Sequence, residues 1–348
     1  MKQRRLDHSF ALAGLRMAAQ NPFTPILFFL GFICLAVTNP DAGAQSVVKT
    51  VRIGVSETHV GYLPLQVAYH RGFYKDEGID LEIVLMPTNV INTAALTGQI
   101  DINGAVTGTV GSAVQGSPMK LLIVTVGKPL LFLVSRKEIK DPRDLKGKKI
   151  AGSSPGGTAT VLAKQALKHY GLDPERDAAV LPMGGSTSSR FAALESGVVD
   201  ATLLPVPAVI FAREKGYTEL AFLGDVAQFP QNGFGATEKK IRENPEEVYK
   251  MVRASLRGLL FLSDGKNRDE VVQIIMKQHK VSDRKLAEQM LGYSQRVITK
   301  EAQVTPEEVQ FLIDLMRANA KVTRPVTVEQ VVDFSFLDKA RKELGLIR

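Results

Sequence analysis

The 348-residue chain has no tryptophan, one cysteine and only five histidines. A lone cysteine excludes an internal disulfide and any Cys-rich zinc site, and no two histidines fall at the helical spacing that would replace one. That cysteine, Cys34, lies inside the apolar run 23–37 behind Phe32-Ile33, which does not resemble a lipoprotein processing site. Downstream of it the chain carries no thiol, so a cysteine nucleophile is excluded there, and an oxidising exterior compartment suits the remainder. The missing tryptophan removes the best stacking platform and leaves Tyr and Phe for any flat ligand. Neither sign of charge dominates: 44 basic residues face 36 acidic ones, well dispersed, and no aromatic residues interleave with a basic stripe as nucleic-acid binding favours.

Long hydrophobic runs are also missing. The stretch 23–37 falls short of the roughly 20 residues a membrane span needs. With Lys2, Arg4, Arg5 and Arg16 before it and Ala42-Gly43-Ala44 after it, it reads as an export signal over residues 1–44, cleaved after Ala44, that sends the protein to the periplasm. The long basic start leaves a retained anchor as the alternative. Leu6-Asp7 after the Arg4-Arg5 pair leaves Sec or twin-arginine export open. Positions 1–44 hold four basic and two acidic residues, so the rest of the chain carries 40 against 34, a modest +6.

What is present is a repeat. Gly98-Gln99-Ile100-Asp101 and Gly197-Val198-Val199-Asp200 lie 99 residues apart, and each ends a similar series. The first series is a strand over 51–55, a loop over 56–61, a helix over 62–75 closed by Gly78, and a strand over 79–86. The second is a strand over 149–152, a loop over 153–157, a helix over 158–170 closed by Gly171, and a strand over 180–183. Two similar α/β lobes facing each other across a cleft follow, with 121–136 and 221–236 as the crossings between them. Side by side, such crossings would let the lobes rotate as bodies. Beyond Pro245 the chain reads as helices over 246–262, 268–279, 283–293, 306–319 and 328–344, which are expected to pad the first lobe. The expected boundaries are 48–130 with 231–348 for the first lobe and 131–230 for the second.

Several stretches together resemble the substrate-binding proteins of ABC importers in the nitrate, sulfonate and taurine family, related to the thiamine-pyrimidine-synthase-like domain. They are Gly61-Tyr62-Leu63-Pro64 with Ala68 and Gly72-Phe73-Tyr74; Ala95 to Asp101; Asp144-Leu145-Lys146-Gly147-Lys148-Lys149-Ile150; Ala193 to Asp200; and Val331-Val332-Asp333-Phe334. The resemblance runs from about residue 51 to 344. It implies an α/β, two-lobe periplasmic binding protein fold of type II, each lobe a mostly parallel sheet flanked by helices, with two hinge crossings. It further implies a solute-binding protein that delivers its ligand to an ABC permease at the inner membrane, works as a monomer, and needs no cofactor or metal.

Ligand contacts are expected on loops that follow strands, because those loops border the cleft. In the second lobe these are Ser153, Ser154, Gly156, Gly157 and Thr158, whose glycines admit close backbone approach and whose helix start favours an anion. Ser186, Thr187 and Ser188 follow with hydroxyls suited to carboxylate or sulfonate oxygens, and Arg190 can add a charged bond. The facing lobe offers Glu57, His59, Tyr62, Thr88, Asn89 and Thr107, the strand after Asp200 ends at Pro205, and the second crossing offers Asn232. A small anionic organic solute is the expected ligand. An inward-pointing Glu57 would instead favour a ligand with an ammonium or other donor group. Asp101 and Asp200 share a repeated position, which points to satisfaction of turn amides rather than ligand contact. Enzyme readings are weaker: Gly185-Ser186-Thr187-Ser188 is not a Gly-x-Ser-x-Gly elbow, and the cysteine motif of the pyrimidine synthases is missing. A pyrimidine-precursor binder and a ligand-sensing partner of a membrane receptor remain as alternatives.

Overall fold

The computed structural model describes residues 48–184 and 186–348. The expected export signal and its cleavage site lie outside the described residues. Ten strands form two five-stranded sheets: β1 (Lys49–Val55), β2 (Ile79–Leu85), β3 (Ile102–Asn103), β4 (Met119–Val126), β5 (Leu131–Ser135), β6 (Lys149–Gly152), β7 (Ala179–Pro182), β8 (Ala201–Pro205), β9 (Thr218–Phe222) and β10 (Asn232–Thr237). The first sheet has the order β2-β1-β3-β10-β4 and the second β7-β6-β8-β5-β9. The two orders correspond place by place. In the first sheet β10 runs antiparallel to β3 and β4, and in the second β5 runs antiparallel to β8 and β9, so each sheet has one reversed strand in its fourth place.

The repeated Gly-x-x-Asp closes both sheets alike. Gly98 and Gly197 end their helices with φ of 77° and 74°, a left-handed turn open to glycine at little cost. Asp101 then takes the amide of Arg52 on its Oδ2 at 2.9 Å and gives its own amide to the Arg52 carbonyl at 2.9 Å. Asp200 does the same with Lys149, at 2.9 and 2.8 Å. Each aspartate thus satisfies a backbone amide of the strand second in its sheet's order, β1 or β6. Each is also neutralised, Asp101 by Lys240 at 2.5 Å and Asp200 by Arg136 at 3.0 Å.

Two helices expected as single pieces are broken. Positions 62–75 divide into Leu63–His70 and Phe73–Asp76 because Gly72 takes a φ of 76°. Positions 328–344 divide into Val328–Val331 and Ser335–Glu343, because Val332 bridges to Leu121 and the Asp333 amide bonds the Leu121 carbonyl at 2.9 Å. There the exposed edge of β4 offers the backbone a better partner than another helical turn.

The helix Pro245–Ser263 buries Val248, Met251, Val252, Leu256 and Leu259 at helical spacing, in one core with Val51, Ile53, Leu122 and Phe234 of the first sheet. Its Gly258 lets the helix Leu63–His70 come so close that a Cβ there would stand 2.4 Å from the Pro64 carbonyl oxygen. The helix Arg284–Gln295 does more than pad the first sheet. Tyr293 meets Phe132 of β5 edge-on at 5.6 Å and accepts a hydrogen bond from Arg213 at 2.8 Å, while Arg296 lies 5.1 Å over Phe222 of β9.

Between the sheets run 127–130 and 223–231. They lie side by side: the Leu130 amide bonds Oε1 of Gln231 at 2.6 Å, and the Gln231 amide bonds the Val126 carbonyl at 2.9 Å. Among the described residues no helix is long and apolar enough to cross a membrane.

Candidate functional site

Parallel strands of one direction end together, so the loops that follow them gather at one rim of each sheet. The two rims face each other across a cavity of about 700 Å³. From the first sheet come Ser56, Glu57, Thr58, His59 and Tyr62 after β1, Leu85 to Thr88 after β2, and Ala105 and Val106 after β3. From the second come Ser153, Ser154, Thr158 and Ala159 after β6, Ser186, Thr187, Ser188, Arg190 and Phe191 after β7, and Pro205 to Ala208 with Phe211 after β8. Leu131, Gln231 and Asn232 close the side where the crossings pass.

Local chemistry fixes these side chains. His59 precedes the short 3-10 turn Val60–Tyr62, and its Nδ1 accepts the Gly61 amide at 3.0 Å, so the ring proton sits on Nε2. Burial holds the imidazole below its ordinary pKa; Glu57 opposes this and Arg190 reinforces it. Tyr62 gives its hydroxyl to the Gly104 carbonyl at 3.2 Å, and burial pushes its pKa up to about 12, so it stays a neutral donor. Behind His59, Gln66 donates to the His59 carbonyl at 3.4 Å and accepts from Nε2 of His279 at 3.2 Å. Burial and the neighbouring His59 bring His279 down to about 4. Ser186 caps the helix Thr187–Glu195 by accepting the Ser189 amide at 3.3 Å.

Two contacts join the rims directly. Thr107 and Thr158 share a hydrogen bond between their Oγ1 atoms at 3.0 Å. Glu57 accepts from Arg190 Nη2 at 2.9 Å and from Thr187 Oγ1, while Arg190 also bonds Thr187 Oγ1 at 3.2 Å. Arg190 is 1% exposed and Glu57 17%. At the mouth Lys215 and Glu195, both lining residues, pair at 2.5 Å.

Thirteen of the seventeen residues expected from sequence line the cavity: Glu57, His59, Tyr62, Thr88, Ser153, Ser154, Thr158, Ser186, Thr187, Ser188, Arg190, Pro205 and Asn232. Four stand elsewhere. Asn89 is exposed on the first turn of the helix Thr88–Leu96, one residue round from the wall. Thr107 is 2% exposed and spends its hydroxyl on Thr158. Gly156 takes a φ of 70° at an exposed turn, and Gly157 is buried behind the serines, its amide on the Ser154 carbonyl at 2.9 Å. The wall also holds residues that sequence reasoning passed over, among them Leu85, Met86, Phe191, Glu195, Phe211 and Lys215. Thr187, Phe191 and Glu195 recur every four residues on one helix, so following the face of Thr187 along it would have found both.

The family described as NMT1/THI5 like matches residues 59–265, and the chain belongs to it. The riboflavin-binding protein RibY of Chloroflexus aurantiacus is 26% identical over 318 residues, 86% of this chain and 89% of RibY. Among solved structures, the periplasmic nitrate-binding protein NrtA of Synechocystis has a TM-score of 0.70 at 16% identity, over 86% of this chain and 90% of its own. The alkanesulfonate-binding protein SsuA of Xanthomonas axonopodis, bound to MOPS, has 0.68 at 17%, over 82% and 98%. The fold is that of periplasmic binding proteins. These relatives and neighbours are binding proteins, whereas shorter matches reach 4-amino-5-hydroxymethyl-2-methylpyrimidine phosphate synthases, 30% identical over 34% of this chain.

Proposed function

We propose that this protein is an extracytoplasmic solute-binding protein that captures a small organic solute between its two sheets and hands it to an ABC permease at the inner membrane. One observation carries the reading: two sheets of corresponding strand order, joined by paired crossings, turn their strand-end loops onto a single 700 Å³ cavity. That volume suits a small organic molecule. In this reading the lining residues named from sequence are the ligand contacts, the lobes are 48–130 with 231–348 and 131–230, and rotation about 127–130 and 223–231 opens and shuts the site. The protein acts as a periplasmic monomer, exported by residues 1–44.

The family resemblance and the binding proteins among its relatives support transport over catalysis. Isothermal titration of the purified protein against sulfonates, carboxylates, nitrate, pyrimidines and flavins is the direct test. Saturable binding of one molecule per chain, with the compound recovered unchanged, supports the reading. Turnover of a bound compound, or no binding across the set, overturns it.

A further inference from the structure

The charge of the solute can be argued from what the cavity wall already holds. A sulfonate or carboxylate, the class expected from sequence, needs a cation or a free cluster of donors to replace its hydration. Arg190 and Thr187, on the first turn of the helix Thr187–Glu195, form such a seat, and Glu57 of the opposite rim already sits in it, one oxygen on Arg190 at 2.9 Å and the other on Thr187. The other lining cation, Lys215, is paired with Glu195 at 2.5 Å. The two lining cations are therefore balanced by two lining carboxylates, and an entering anion would find the donors of Arg190 and Thr187 already taken by Glu57.

A second observation points to the complementary chemistry. Asn232, at the start of β10 and 3% exposed, lines the cavity, and its Oδ1 has no hydrogen-bond partner among the described residues. A carbonyl oxygen left without a donor beside the cavity is unfavourable, and an N–H or O–H on the solute that reached it would recover the loss. An oxyanion has no proton to give. Phe191, Phe211 and Pro207 supply apolar wall for the body of the molecule.

We infer that Glu57 is the specificity-determining residue of this site, an internal carboxylate that fills the oxyanion seat, and that the solute is an uncharged organic molecule with an N–H or O–H donor directed at Asn232. This inference rests on the solute-binding reading above.

The test uses the full chain, its Glu57→Gln variant and its Asn232→Ala variant, titrated with two probe sets: uracil, nicotinamide and lumichrome, and nitrate, ethanesulfonate and benzoate. The wild type is expected to bind at least one uncharged probe and to bind it at least tenfold tighter than any anion. Glu57→Gln, which removes the carboxylate charge from the seat, is expected to gain at least tenfold for ethanesulfonate or benzoate and to melt higher in their presence. Asn232→Ala is expected to lose at least tenfold for the uncharged probe. An anion bound tighter than every uncharged probe by the wild type overturns this inference and leaves the solute-binding reading standing. Wild-type protein that melts cooperatively but responds to neither set overturns both. Should Glu57→Gln fail to fold, the wild-type preference and the Asn232→Ala loss still decide the matter.

Discussion

Glu57 and Arg190 meet at 2.9 Å across the cleft, from the loop that follows β1 and the helix that follows β7, on different sheets. The guanidinium is almost completely buried, and a buried charge is tolerable only while its partner remains. Removing either partner takes away the opposite charge that offsets the desolvation of the other.

Glu57→Ala is therefore expected to destabilise the protein by about 3–5 kcal/mol, the range for breaking a buried pair from one side. Replacing both residues, Glu57→Met with Arg190→Met, should restore much of that loss. Chemical denaturation of the two single variants and the double variant measures the coupling; additive losses would show that the pair is no more than a solvated contact.

Thr158 and Thr187 line the cavity, and their hydroxyls hold the two rims together through Thr107 and Glu57. Thr158→Ala and Thr187→Ala should each weaken ligand binding severalfold and cost about 1 kcal/mol of stability or less, the net worth of one hydrogen bond. Titration beside a thermal melt separates the two effects. Unchanged affinity in both variants would remove these residues from the site.

Asp101 and Asp200 make the opposite case. Each carboxylate bonds the amide of a strand residue far from the cavity wall, so Asp101→Ala and Asp200→Ala should lower stability by about 1–3 kcal/mol and leave affinity unaltered. The larger loss is expected at Asp101, because its partner Lys240 is 13% exposed and also serves the buried Glu247. A change in ligand affinity with either variant at a temperature where it remains folded would contradict this division of labour.

Acid should loosen the protein through the buried His59 and the half-buried His279. His59 and His279 both have folded pKa values below the ordinary 6.5, the latter at about 4, so the unfolded chain binds more protons as the pH falls from 6.5 towards 4. Their effect on stability is nil above pH 7 and grows more unfavourable across that window, by about 1.4 kcal/mol for each tenfold by which folding weakens the hold on the proton. Melting temperatures recorded between pH 8 and pH 4 should fall mainly below 6.5, and His279→Gln should flatten part of the fall. A profile for His279→Gln that overlays the wild type would assign the acid sensitivity to other groups.

Much of the two-lobe fold was legible because its cues are local. Strand alternation, helix-closing glycines and the doubled Gly-x-x-Asp depend on neighbours within a few residues, and the strand over 149–152 and the helix over 268–279 match their expected bounds. The failures have a common cause. The break at Val332 was set by the edge of β4, some two hundred residues earlier in the chain, and the retreat of Thr107 by Thr158 on the other sheet.

The same boundary divides what is known of the site. Composition, spacing and the order of apolar and glycine-rich segments determined that two like α/β units exist and that their strand-end loops would carry hydroxyls, Glu57 and Arg190. Which of those groups remain available to a solute was decided only in three dimensions. Hydrogen bonds and ion pairs are formed between atoms a few ångströms apart, and a separation of 133 positions gave no sign that Glu57 and Arg190 would satisfy each other.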